Sequence, residues 1–521
     1  MARVQPLCHD KNPQVKTPMR NSTLAASILA LMATPAIAQN LDLDKVGGAI
    51  SGTLTCPIHG EPNEPYALLL DLIERPTFLP QFGVLLDISD QFAWITANTP
   101  SFVGTTDGNG NATATTAMPT DPSLIDCIFS MQAIAGSGPY RVSNLIRVTP
   151  QVSNTFRPTL ISPPLPILGG GALPQEDGNV LFVGGSGPAA LAYNSRIESW
   201  DTAGNTFGVG LLAQTTPLSD GRVLFTGGLS LTSGQPTDQA AIYDPTTQTT
   251  TTLTMSSPRA GHGASQLGNG LVLVTGGLLS FDLTDPLTLL TGIQATTEFF
   301  DPATNTFSSG PIMLEARALH TSTTLTNGQA LIAGGITLLP IINLPTVSTT
   351  AYLFNPANGN FGLPSFFSGP RFLHSATALS NGKVLIAGGL SLDLTAFLAS
   401  GNIEDIVVGT REDCLVYTSG FFGSFATVQG MQVGRAGAAI ASLPNGGALI
   451  AGGFQLTLDI GNGEFVANLT ETADIFSQSP NALTATGSMA APRLFPVTTN
   501  LPDGTVMVVG GGPLQAEVFQ Q

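Results

Sequence analysis

Residues 317–335 read RALHTSTTLTNGQALIAGG, and residues 371–389 read RFLHSATALSNGKVLIAGG. The two stretches share Arg, His, Leu, Asn-Gly and Gly-Gly at the same offsets. The pattern recurs as RAGHGASQLGNGLVLVTGG at 259–277, RAGAAIASLPNGGALIAGG at 435–453 and RLFPVTTNLPDGTVMVVGG at 493–511. Shorter copies, EDGNVLFVGG and SDGRVLFTGG, end at Gly185 and Gly228. Seven glycine pairs result: Gly184-Gly185, Gly227-Gly228, Gly276-Gly277, Gly334-Gly335, Gly388-Gly389, Gly452-Gly453 and Gly510-Gly511. A repeat of roughly 50 residues with this punctuation reads as a solenoid or a propeller.

Each unit reads as strands. Alternating residues run up to a Leu, and Asn-Gly or Asp-Gly then supplies a tight hairpin turn, because Gly tolerates positive φ. A continuous apolar run such as VLIA follows, as expected of a strand buried on both faces. A third strand ends in an aromatic and Asx-Pro, as in Tyr243-Asp244-Pro245, Phe300-Asp301-Pro302 and Phe354-Asn355-Pro356, where Asx before Pro starts a turn. Asn-Thr-Phe at 205–207 and 305–307 marks a fourth strand. Four antiparallel strands in each of seven units predict a seven-bladed β-propeller, which leaves few exposed edges. The last copy stops one strand after its Gly-Gly, and 152–160 (VSNTFRPTL) carries the fourth-strand triplet. That segment is expected to complete blade seven and close the ring.

The pattern Arg-x-x-His…Leu-x-Asn-Gly…Gly-Gly, then Tyr-Asp-Pro, resembles bacterial kelch repeats. That superfamily includes the galactose oxidase central domain and sialic-acid mutarotases. The resemblance covers residues 151–521, strongly in the five copies that carry Arg and weakly in the first two. Residues 40–150 do not repeat. Their short apolar runs (YALLLDLI, FGVLLDI, FAWITA) and the turn-rich GTTDGNGNATATT suggest an immunoglobulin-like β-sandwich over 39–150. The fold class expected is therefore all-β.

Arg20, the apolar LAASILALMATPAIA at 24–38 and the final Ala36-Ile37-Ala38 describe a signal peptide cut before Gln39. Translation is then expected to start at Met19, and the protein to be secreted, periplasmic or on the cell surface. Without residues 1–38 the chain keeps 14 basic and 34 acidic residues, a charge of −20. Such a chain repels nucleic-acid phosphate, and no Lys/Arg cluster offsets it. The apolar stretch 330–347 falls in the repeat register as a strand plus loop, so no membrane anchor and a monomer are expected.

In an exported chain Cys56 and Cys127 could pair and staple the sandwich, leaving Cys414 as a buried thiol. His262, His320 and His374 occupy one position in three consecutive repeats. A shared metal site is one reading. A consensus residue packed between blades is the other, favoured because Gly170, Ala213, Ala438 and Pro496 take that place in the remaining units. Arg259, Arg317, Arg371, Arg435 and Arg493 offer either a basic ring for an acidic ligand or a repeated structural contact. A galactose oxidase-like copper site would need two Tyr, two His and a Tyr–Cys crosslink. Tyr243 and Tyr352 are absorbed by the third-strand pattern, as is Tyr417, and Tyr193 is the only other tyrosine of the propeller. No catalytic residue and no cofactor are assigned. The loops after Gly-Gly are long and apolar (278–293, 336–347, 390–408, 454–469). They offer a partner surface on one face of the disc, or they extend the hairpins and pack on each other. The sequence therefore predicts an exported, non-catalytic binding protein for a protein or cell-envelope (polysaccharide) ligand. The alternatives are a kelch-type sugar enzyme, either a copper radical oxidase or an isomerase, and an architectural envelope protein.

Overall fold

The computed structural model describes residues 41–91, 96, 98–167, 169–175, 178–184, 189–205, 210–280, 292–338, 345–393, 399–402, 405–459 and 464–521. The signal-peptide segment and Gly185 lie outside the described residues. Two compact units separate at Ser153/Asn154.

The first unit is an immunoglobulin-like sandwich. Strands Thr53–His59 and Asn111–Ala117 pair in one sheet, with Asp42–Leu43 and Val46–Gly47 also on Thr53–His59. Strands Pro65–Asp71 and Phe129–Ala135 form the centre of the other, flanked by Val103–Thr105, Arg141–Val142 and Ile146–Val148. Alternation in Thr53–His59 turns Leu54, Cys56 and Ile58 inward, against Leu68, Met131 and Ala133 of the facing sheet. The expected Cys56–Cys127 bridge is not formed. Cys56 is a free thiol buried in that core, opposite Ala114, whereas Cys127 follows a short 3-10 turn and is not part of the cluster. Burial pushes the Cys56 thiol up to about 12.

The second unit is a propeller of seven antiparallel blades, six four-stranded and blade 4 with its outer strand split into Asn360–Phe361 and Ser365–Phe366. Blade 1 runs through Gly171–Pro174, Asn179–Val183, Ala189–Asn194 and Ser199–Asn205. Blades 2 to 7 begin with Gln214–Pro217, Gly263–Gln266, Thr321–Thr324, Ser375–Ala378, Ala439–Ser442 and Val497–Asn500. The apolar second strands, such as Val384–Ala387, are buried along their whole length, because each is sandwiched between two neighbouring blades. Core clusters accordingly cross from blade to blade: Leu267 and Leu273 of blade 3 pack with Ala330, Ile332 and Phe354 of blade 4. In blade 7 the sheet order is Thr155–Pro158, Glu517–Gln520, Val506–Val509, Val497–Asn500. The outermost strand thus comes from the start of the propeller chain. Val497, Met507 and Val518 then pack on Val180, Phe182 and Tyr193 of blade 1.

Candidate functional site

The five repeated arginines are fully buried. Each guanidinium donates to the carbonyl of the first glycine of its own blade: Gly276, Gly334, Gly388, Gly452 and Gly510. Four also bind an acid on the third strand of the same blade, in the pairs Arg259–Glu298 at 3.0 Å, Arg371–Asp413 at 2.9 Å, Arg435–Asp474 at 2.6 Å and Arg493–Glu517 at 2.8 Å. Blade 4 has no acid there. Glu315 reaches Arg317 at 2.8 Å instead, and the guanidinium lies over the Tyr352 ring. These side chains are spent within their blades and offer no basic ring to a ligand.

The glycine pair is the joint to the next blade. The second glycine's N–H donates to the next blade's arginine carbonyl, as from Gly277 to Arg317 at 2.7 Å and from Gly389 to Arg435 at 2.8 Å. Both glycines have positive φ, 60° and 102° at Gly276 and Gly277. A Cβ on Gly276 would stand 2.3 Å from the Arg317 carbonyl oxygen, so the approach itself excludes a side chain.

The histidines complete the same joint. His262 Nε2 lies 2.8 Å from Thr226 Oγ1, His320 Nε2 2.9 Å from Thr275 Oγ1, and His374 Nε2 2.9 Å from Thr321 Oγ1, each time on the preceding blade. Burial, and then the charge of Arg259 and Arg371, lowers the pKa of His262 and His374 to about 3, with the arginine backbone offsetting part of the shift. His320 is pushed well below its usual value by burial, then by Arg317 and its two histidine neighbours. The rings are therefore neutral and already hydrogen-bonded between blades. Each ring keeps a buried Nδ1 without a partner, but Tyr193, Tyr243, Tyr352 and Tyr417 are buried on third strands and none of them lines the cavity that the histidines share, so the residues do not fit a galactose oxidase-like copper centre. Among the described residues no group of three His, Cys, Asp or Glu side chains could hold a metal.

The threonines were not predicted to matter, yet a signal was present. Thr226 and Thr275 directly precede Gly-Gly in the two blades whose successors carry His262 and His320. Ala387 and Ala451 precede Gly-Gly where the successor carries Ala438 or Pro496. His374 follows Ala333 and takes Thr321 from the first strand instead.

The histidine register faces the channel. Gly170, Ala213, His262, His320, His374, Ala438 and Pro496 all line one cavity of about 680 Å³ at the centre of the propeller. The residue before each is left-handed: Gly169, Gly261 and Gly437, but also Leu212 (φ 62°), Leu319 (56°), Leu373 (51°) and Phe495 (48°). Bulky residues adopt this conformation only under constraint. Here the constraint is a belt of backbone bonds. Gly261 N–H donates to Leu212 O, Leu319 to Gly261, Leu373 to Leu319 and Gly437 to Leu373, at 2.7–3.0 Å. The belt ties five consecutive blades, and its leucines line the cavity together with Phe495 of blade 7.

The segments after Gly-Gly start beside this belt. Leu278, Ile336, Leu390 and Phe454 bridge to Ala260, Ala318, Phe372 and Ala436, each next to a repeated arginine. Residues Ile336–Leu338 and Pro345–Val347 form a hairpin. Blades 5 and 6 together build a further four-stranded sheet in the order Leu390–Asp393, Val407–Thr410, Phe454–Asp459, Glu464–Leu469. Its register aligns Leu392, Val408, Leu458 and Phe465 in one row of one face, and Phe454 of that face meets the cavity-lining Phe495 at 5.9 Å between rings. Much of the loop apolarity is thus spent on extended hairpins. The last strand stays open: Phe465 is 68% exposed and Leu469 47%.

Similar architectures occur among solved structures. A fungal alcohol oxidase of the AA5 family, solved in complex with copper, shares 16% identity at a TM-score of 0.50, over 69% of this chain and 75% of that one. The fold is kelch-type and galactose oxidase-like. A protein named YjhT aligns with 63% of this chain and all of its own at 18% identity and a TM-score of 0.46. No protein-family model matches the chain, and no curated protein does.

Proposed function

We propose that this is an exported, non-catalytic binding protein that holds a protein or cell-envelope ligand on the propeller face bearing the long loops. The observation that carries this reading is the sheet built by blades 5 and 6, whose terminal strand Glu464–Leu469 has no described neighbour on its outer side and exposes Phe465, Val466 and Leu469. Natural proteins usually blunt such an edge with charge, proline or a cover, and beyond Glu464 at its start this strand carries neither charge nor proline. An extended partner segment can pair with it. The repeated polar residues point the same way, since the histidines are consumed by the joints between blades and the arginine side chains by contacts within them.

A Phe465→Asp/Leu469→Asp double variant tests this. Both side chains are exposed, so stability is expected to stay within about 1 kcal/mol. Capture of a cross-linked envelope partner by the secreted protein is expected to fall at least tenfold. Undiminished capture by the folded variant would contradict the proposal.

A further inference from the structure

We infer that the central cavity is a second binding site, distinct from the open edge strand, and that it takes a small uncharged amphiphile rather than an ion. The cavity, about 680 Å³, has the size of ordinary small-molecule sites. It is wide enough for a ligand of ten or more heavy atoms, yet the described lining contains no Asp, Glu, Lys or Arg. None of the repeated arginines lines it: all five are buried, four of them in pairs with buried acids and Arg317 against Glu315. An ion entering would lose hydration and meet no counter-charge.

The lining is mixed. Leu212, Leu319 and Leu373, whose left-handed backbones belong to the belt, and Phe495 supply apolar surface. Residues of the innermost strands, among them Thr215 and Thr323, supply hydroxyls. Ser322 is already bonded to Ser265, and Ser375 to the Ala438 carbonyl. The three histidines are neutral and committed to threonines, so the site keeps its neutrality across the ordinary pH range. A ligand with an apolar end and a hydroxyl or amide matches this lining. The belt fixes the backbone of Leu212, Leu319 and Leu373 beforehand, and preorganisation lowers the cost of binding.

The test is calorimetric titration of the full chain with three probes of one skeleton: 4-phenylbutan-1-ol, 4-phenylbutyrate and 4-phenylbutylammonium. The alcohol is expected to bind one per chain, at least tenfold tighter than either ion. Thr323→Lys places a cation in the cavity and is expected to reverse the order, so that the carboxylate binds best. Thr215→Lys, on another blade, is expected to do the same and serves if the first variant does not fold. No binding of the alcohol, equal binding of the three probes, or an order unchanged in the folded lysine variants would overturn the inference. None of these outcomes bears on the edge strand, whose test uses different residues.

Discussion

Replacing Asp474 by alanine is expected to cost the propeller about 3–5 kcal/mol, the range for removing one partner of a buried ion pair. Both Arg435 and Asp474 side chains are 0% exposed. The variant would strand a guanidinium that cannot give up its charge. Arg435→Met should cost less. Burial already pushes the Asp474 carboxyl above its usual range against the pull of Arg435, so without the arginine the acid can take a proton and become neutral. The order Asp474→Ala worse than Arg435→Met is therefore the signature of this pair, read from the propeller's transition in urea. A surface pair gives no such asymmetry: Arg141 and Glu61 stand 3.5 Å apart with the acid half exposed, and pairs of that kind contribute under about 1 kcal/mol. Equal, small losses for both Arg435 and Asp474 variants would contradict the assignment.

Acid should unfold the propeller through its histidines. Their folded pKa is depressed, to about 3 for His262 and His374. In the unfolded chain each returns to about 6.5. Between those values the unfolded state binds protons that the folded state does not, so stability is full above about pH 6.5 and falls as pH drops toward 3. The slope is about 1.4 kcal/mol per pH unit for each histidine in mid-window. His262→Asn is expected to flatten the slope of unfolding free energy between pH 4 and 6 by about that much relative to the native chain. An unchanged slope would mean that His262 already carries a proton in the folded state.

The blades were legible because repetition multiplies a weak signal. One Asn-Gly or one VLIA run is ambiguous between many folds, but the same offsets in consecutive units leave a ring as the economical solution. The fourth-strand triplet at Asn154-Thr155-Phe156 could be matched to a missing strand only because the other units show what a complete blade contains. The joints were half legible. Arg and Gly-Gly stood out by recurrence, but Glu298, Asp413, Asp474 and Glu517 did not. Their separation from the arginine varies with loop length, and blade 4 substitutes Glu315 from a different segment. The sheet of Leu390–Asp393 with Phe454–Asp459 was not legible, since two loops of different blades pair without sharing a local pattern. The Cys56–Cys127 pairing failed for a related reason. Spacing in a secreted domain suggests a staple, but only the facing of the two sheets shows that Cys56 points into an apolar core.

The central question is whether the repeated histidine performs chemistry or joins blades. Metal analysis and thermal unfolding of the purified chain, beside a His320→Ala/His374→Ala variant, address it directly. The expected result is no stoichiometric copper or zinc in the native protein and a clearly lower melting temperature in the variant, because two hydrogen bonds between blades are lost and two cavities opened. Stoichiometric metal that disappears in a variant of unchanged melting temperature would contradict it and make the channel a metal centre.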